Sequence, residues 1–171
     1  MTTDLRSRFV EAMSLMATSV SILTTDGPGG LAGVTVSSMT SLSADGRAPS
    51  ILACVNQQSP SAAAILANRC FAANVLSQGQ SALSDRFSGR GGQKGAARFD
   101  GLSMVRGKTG CPHIEGAAVT FDCRLVTALL WETHYLLVGE VEDVTTPEVA
   151  APVLLYAARG YRRIEGIGNA D

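Results

Sequence analysis

The chain has 171 residues and a mass of 17.8 kDa, the size of one domain. It is 46% hydrophobic and 17% charged, too apolar for a disordered chain. Fourteen basic residues against fifteen acidic ones leave a net charge of -1, with no electrostatic footprint for nucleic acid and no polybasic stretch for anionic lipid.

In chain order, residues 4–16 are predicted as a helix. Leu5, Phe9, Met13 and Met16 recur at three- and four-residue spacing behind Asp4 as N-cap. Thr18–Thr25 and Leu31–Ser38 read as two strands joined by the turn Asp26-Gly27-Pro28-Gly29-Gly30, a hairpin candidate. Ser50–Val55 is a short buried strand. Ser59-Pro60 then opens a helix through about Asn68, with proline at the first helical position. Cys70–Leu76 is a strand. Ser77 and Gln80 fit a capping box before a helix that carries Leu83, Arg86 and Phe87. Ser88–Ala97 is a glycine-rich loop, the segment expected to move. Ala117–Leu130 and Thr133–Val144 are long strands with a turn at Trp131-Glu132, and Val153–Tyr156 and Tyr161–Ile164 are short ones. Many strands with few short helices indicate a mainly β fold, an antiparallel sheet closing on itself as a barrel within one domain over 1–171. The regular alternation of a doubly wound sheet is missing.

Several chemistries are disfavoured by absence. No G-x-G-x-x-G follows a strand, and no G-x-S-x-G or H-E-x-x-H occurs. Gly107-Lys108-Thr109 resembles the end of a phosphate loop, but Leu102 stands where the upstream glycine is required. Cys54, Cys70, Cys111 and Cys123 form no C-x-x-C and no metal spacing, and are expected to be free thiols packed as small hydrophobes. No metal is expected. The first sixteen residues do not form a signal peptide, since Glu11 interrupts the apolar stretch, and no apolar run is long enough for a membrane span. A cytoplasmic location is the expectation.

The positive signal is a set of hydroxyl-rich strand ends. Thr35 and Ser37 share one face of a strand, with Val34 and Val36 on the other. Cys54-Val55-Asn56 leads into Ser59-Pro60-Ser61, where a helix start offers free N–H groups and the positive end of its dipole. Ser59 and Ser61 would add hydroxyl donors for a phosphate. Plain capping by Ser59 explains the same residues. Arg86 is either a second phosphate contact or a solvated helix arginine. His134, in an apolar strand, is either structural or a site residue. By themselves these features describe a β-barrel that binds an anionic ligand.

Taken in order, the pieces resemble the short-chain NAD(P)H:flavin reductases, the reductase components of two-component monooxygenases of the 4-hydroxyphenylacetate 3-monooxygenase type. The resemblance is carried by Arg8-Phe9, Ser21–Thr25, Gly33–Ser38, Cys54-Val55-Asn56 with Ser59, Asn74-Val75-Leu76, Leu83–Phe87, Arg98–Leu102, Gly116-Ala117, Thr133-His134, Val138–Val141, Leu154–Tyr156 and Tyr161-Arg162. It covers about residues 5–165. The chain departs from the pattern at Met104, where a tryptophan is frequent, at His113, and at Arg159-Gly160, which stands directly before Tyr161.

The resemblance implies an FMN-binding split β-barrel with short peripheral helices, working as a homodimer. It implies hydride transfer from NADH or NADPH to FMN or FAD, and delivery of reduced flavin to a partner monooxygenase. The cofactor does the hard chemistry, which fits the lack of an evident acid–base pair. Thr35, Val36, Ser37 and Ser38 would line the flavin ring. Cys54, Val55, Asn56, Ser59 and Ser61 would hold the ribityl chain and phosphate. Asn74, Val75 and Leu76 would give main-chain contacts near the ring, and Arg86, beside Phe87, would reach the phosphate. His134, as the catalytic positioning group, with Tyr161 and Phe99, would border the nicotinamide or adenine. Two other proteins of this barrel type remain possible on these residues: a pyridoxamine-phosphate-oxidase-type enzyme and a non-enzymatic flavin-binding protein.

Overall fold

A computed structural model of the chain describes residues 4–165. Three helices and twelve strands are present among them: α1 (Leu5–Ser14), β1 (Thr18–Ser19), β2 (Ser21–Thr25), β3 (Ala32–Val36), β4 (Met39–Ser43), β5 (Ser50–Asn56), α2 (Pro60–Asn68), β6 (Cys70–Val75), α3 (Ser81–Ser88), β7 (Met104–Arg106), β8 (Pro112–Ile114), β9 (Val119–Trp131), β10 (His134–Thr145), β11 (Leu155–Ala157) and β12 (Gly160–Arg162).

Seven strands form one sheet in the order β3-β2-β6-β9-β10-β5-β4, and every neighbouring pair is antiparallel. Its two edges, β3 and β4, are consecutive in the chain and separated only by Ser37 and Ser38. Two residues cannot span a flat seven-stranded sheet, whose strands lie about 4.8 Å apart. The sheet therefore curls until its edges meet at that corner, where the Cys54 N–H donates to the Ser38 carbonyl at 3.0 Å. This is the mainly β antiparallel split barrel expected from the sequence.

Alternation sets which side chains enter the barrel. Leu23, Val36, Ala53, Val55, Phe71, Ala73, Cys123, Leu125 and Leu137 point inward, and α2 adds Ala62 and Ile65. A second cluster packs outside the wall: Val20, Ile22, Leu76, Phe87, Phe99, Ile114 and Leu154. Phe87 and Phe99 meet edge to face, with ring centroids 4.9 Å apart. They press on Gly33, where a Cβ would come within 2.6 Å of Phe87, so only glycine fits beneath α3.

The helix signals hold with small shifts. Asp4 caps α1 through Arg6 N–H, α2 starts at Pro60 and ends at Asn68, and the Ser77–Gln80 capping box forms on a single 3-10 turn leading into α3. The glycine-rich loop is shorter than expected, because Gly95–Phe99 winds into a 3-10 turn. The strand expected over 18–25 breaks at Val20: Thr18 and Ser19 pair with β11, while Ser21–Thr25 join the barrel. β4 and the hairpin β7–β8 were not expected. The turn between β9 and β10 falls at Glu132-Thr133, one residue late, with Glu132 in the left-handed region. Among the described residues no helix is long and apolar enough to cross a membrane.

The β7–β8 hairpin is buckled to the outer wall by polar contacts. Asn74 is the centre: its Nδ2 donates to Ile22 O and Thr24 Oγ1, both at 3.0 Å, and its Oδ1 accepts from Ile114 N–H at 2.7 Å. Thr24 donates to the Pro112 carbonyl. The fully buried Asp122 accepts from Thr109 N–H and Oγ1 and lies 3.7 Å from His113 Nε2.

Candidate active site

The β3–β4 corner is where the hydroxyl-rich segments converge. On the outer face of β3 lies a cavity of about 140 Å³ lined by Val20, Thr35, Val36, Ser37, Ser84, Ser88, Arg90, Tyr156 and Tyr161. Its walls come from β3, α3 and the β11–β12 hairpin. Thr35 Oγ1 donates to Ser84 O at 2.8 Å, tying β3 to α3. Tyr161 donates to Asp85 Oδ1 at 2.7 Å, and stacks edge to face on Tyr156. Burial, with the neighbouring Asp85 carboxylate, pushes the Tyr161 hydroxyl above the ordinary phenol range, opposed by a hydrogen bond from Ser84. The phenol is therefore a neutral donor at physiological pH.

A polar rim continues from the corner. Ser38 Oγ lies 3.4 Å from Cys54 O. Asn56 follows at the exposed end of β5 and faces His134 across the β5–β10 pair. Asn56 Oδ1 accepts from Gln58 N–H, which shapes the turn into α2. Ser59 occupies the N-cap of α2, yet its side chain makes no capping hydrogen bond. Plain side-chain capping is thus not what Ser59 does. His134 is exposed, with Nδ1 2.9 Å from Thr133 Oγ1. It is not a barrel-interior histidine.

On the other side of β3 a groove of about 500 Å³ runs past the α2 N-terminus, lined by Gly29, Leu31, Ala32, Gly33, Pro60, Ser61, Ala64, Lys94, Gly95 and Arg98. Lys94 adds a cation to this lining beside the α2 N-terminus, while the Arg98 guanidinium donates to Gln93 O, Gly33 O and Phe87 O.

Other expected site residues are committed to the fold. Ser61 is buried and donates to Gly33 O at 2.9 Å, so its hydroxyl locks α2 to β3 at the wall of the groove. Asn74 holds the β7–β8 buckle. Val75 and Leu76 are buried, and their main chain is used in the wall: Val75 O accepts from Ala118 N–H, Leu76 N–H donates to Val20 O, and Leu76 O accepts from Leu154 N–H. Val55, Phe87 and Phe99 are core. Arg86 donates to Ala97 O and Asp100 O, organising the 3-10 turn. Lys94 and Arg98 line the α2 groove, Arg98 bonded to main-chain carbonyls as Arg86 is, and Ser84, Ser88, Arg90 and Tyr156 complete the cavity. The clue to the cations was the recurrence of Arg90, Lys94 and Arg98 at every fourth position through a glycine-rich segment too poor in apolar residues to read as a helix.

The barrel corner thus carries two openings lined by polar groups, one walled by a tyrosine pair and one beside the start of α2. Residues 13–165 match the flavin reductase-like domain family, and the chain belongs to it. It is 42% identical over 157 residues to FMN reductase (NADH) RutF 2 of Methylorubrum extorquens, covering 91% of this chain and 88% of that one. Among solved structures, a putative flavin reductase from Haemophilus somnus superposes with a TM-score of 0.86 at 29% identity, over 95% of this chain and all of that one. BorF, the flavin reductase component of a bacterial two-component tryptophan halogenase, superposes with a TM-score of 0.84 at 27% identity, over 96% of this chain and 100% of that one.

Proposed function

We propose that this chain is an NADH-dependent flavin reductase that takes FMN as an exchanging substrate and passes reduced flavin to a separate monooxygenase. The carrying observation is the Ser37-Ser38 corner. It sets Ser37 at the mouth of a tyrosine-walled cavity, and β3 carries a second opening, the groove that runs past the α2 N-terminus. That donor set fits a flavin. Hydroxyls and main-chain groups suit the ring and ribityl chain, and the α2 N-terminus with Lys94 suits the phosphate. The only chemistry the flavin must supply is acceptance of a hydride from the nicotinamide.

In this reading Thr35, Ser37 and Ser38 bind the ring edge, and Cys54 and Asn56 border the ribityl chain. The uncommitted Ser59 hydroxyl donates to phosphate. His134 and Tyr161 orient the nicotinamide. The relatives support NADH and FMN over NADPH and FAD, and the halogenase reductase supports a separate oxygenase as recipient. The site holds a phosphate between a cation and a helix end and is open on one side, which favours exchange over permanent retention.

A homodimer belongs to the same proposal. α1 buries none of its residues and exposes Leu5, Phe9, Val10 and Met13, and the β9–β10 hairpin exposes Val126, Leu129, Leu130 and Trp131. Apolar patches of this kind mark protein interfaces.

The test is oxidation of NADH and of NADPH with and without added FMN, FAD and riboflavin. Rapid NADH oxidation that requires added FMN is the expected result. Flavin binding without NADH consumption would indicate a carrier protein. Full activity in a protein that stays yellow through gel filtration would indicate a resident cofactor.

A further inference from the structure

Two thiols meet where the β7–β8 hairpin lies on the barrel wall. Cys111 Sγ is 3.3 Å from Cys70 Sγ, across a sequence separation of 41. Cys70 is the first residue of β6 and Cys111 directly precedes β8. With Ala72 they form their own small buried cluster. Neither lines the cavity or the α2 groove. The proposed reaction uses neither.

We infer that Cys70 and Cys111 are a modification site, a dithiol that hydrogen peroxide closes to a disulfide joining the hairpin to β6. A disulfide bond is about 2.05 Å long, so the sulfurs need approach by only about 1 Å, within the reach of side-chain rotation. The other two thiols lack this geometry. Cys123 points into the barrel, 3.6 Å from Phe121 O, and burial pushes its thiol up. Cys54 is half-buried on the opposite part of the sheet.

The chemistry balances. One cysteine, as thiolate, attacks a peroxide oxygen; the O–O bond breaks, water leaves after protonation, and a sulfenic acid remains. The second sulfur attacks that sulfur, the S–O bond breaks and a second water leaves. Two thiols lose two electrons and two protons, and peroxide becomes two waters. Burial pushes the Cys111 thiol up to about 12, so closure is slow at neutral pH and accelerates as pH rises. Reduced flavin that reaches dioxygen yields hydrogen peroxide, so a flavin reductase makes this oxidant itself. That source rests on the proposed function, whereas the experiment below supplies peroxide directly.

The full chain is treated with hydrogen peroxide at pH 8.5, alkylated under denaturing conditions, and mapped by mass spectrometry without reduction. The expected result is loss of two of the four thiols, a mass lower by about 2 Da, a peptide pair joining Cys70 to Cys111, and a melting temperature raised by several degrees that reductant reverses. Cys70→Ser abolishes the cross-link. Since that variant can fail to fold, Cys54→Ser, at a half-buried position away from both sulfurs, provides an independent test: it loses two of its three thiols and stays an intramolecular species. Retention of all thiols, oxygen added at Cys54 alone, or a cross-link between chains would overturn the inference.

Discussion

Tyr161 donates its hydroxyl to the Asp85 carboxylate over 2.7 Å, binding β12 to α3, both of which wall the same cavity. The bond joins residues 76 positions apart, so the cavity exists only once the C-terminal hairpin has docked.

Tyr161→Phe keeps the ring contact with Tyr156 and deletes this bond. A neutral donor to a carboxylate that is part-exposed is worth about 1 kcal/mol, and a melt should show a fall of a few degrees. The pH dependence follows from the raised Tyr161 pKa. Protonated tyrosine is favoured in the folded state, so this stabilisation is fully present below the ordinary tyrosine pKa of about 10 and is lost as pH rises through the folded value. Absorbance titration of phenolate should show one of the three tyrosines ionising late, and Tyr161→Phe should remove that late step.

Ser59→Ala should separate two roles. A side-chain cap costs about 1 kcal/mol when lost, but Ser59 makes no such bond, and its main chain already accepts from Ala62 N–H at 2.9 Å. The melting temperature should therefore hardly change. FMN affinity should fall by about 10- to 150-fold, the loss of a hydrogen bond to a charged group, while riboflavin affinity stays. Equal losses for both flavins would remove Ser59 from the phosphate.

Asn74→Ala should unfold the buckle without touching a ligand. It removes three strong contacts at once and leaves the buried Ile114 N–H without an acceptor. Each orphaned group costs about 1–3 kcal/mol, so urea denaturation should show a loss of about 3 kcal/mol or more. Gly107→Ala should act on the same buckle, because its Cβ would collide with His113 Nε2 and Asp122. Loss of FMN affinity with unchanged stability in Asn74→Ala would return Asn74 to the site.

These outcomes explain what was legible from sequence. α2 and the long strands β9 and β10 were readable because periodicity, Pro60 and β-branched runs act locally. β4 was not, since Met39–Ser43 is an exposed edge whose alternation carries almost no apolar signal. β7–β8 was not, because tertiary polar contacts hold it, not its own pattern. Thr35 and Ser37 line the cavity, Ser59 stands half-buried at the start of α2 and His134 is exposed at the start of β10, because strand ends and helix starts announce accessible polar groups. Asn74 and Ser61 looked the same in sequence but turn into the fold, a difference decided by neighbours 28 to 52 positions away. Lys94 and Arg98 were hidden by a glycine-rich segment too poor in apolar residues to read as a helix.

His134→Ala should lower hydride-transfer efficiency while leaving the fold intact. His134 sits at the start of β10, exposed, directly opposite Asn56 on β5 and beside the turn into Ser59. Among the described residues its side chain hydrogen-bonds only to the neighbouring Thr133, so truncation leaves no buried group orphaned and no cavity in the core. A structural histidine would lower the melting temperature; this one should move it by little. The ring instead has the placement to orient a nicotinamide over the rim or to offset charge as hydride arrives. No general acid is needed for that first transfer, so the effect should be that of one lost positioning contact, about 1–3 kcal/mol, or 5- to 150-fold in kcat/KM for NADH. FMN affinity should change much less than in Ser59→Ala, because His134 is proposed to contact the nicotinamide and Ser59 the phosphate. Stopped-flow reduction of added FMN and a thermal melt on the same preparation decide between the roles. Wild-type kcat/KM in a protein of unchanged stability would remove His134 from the reaction altogether.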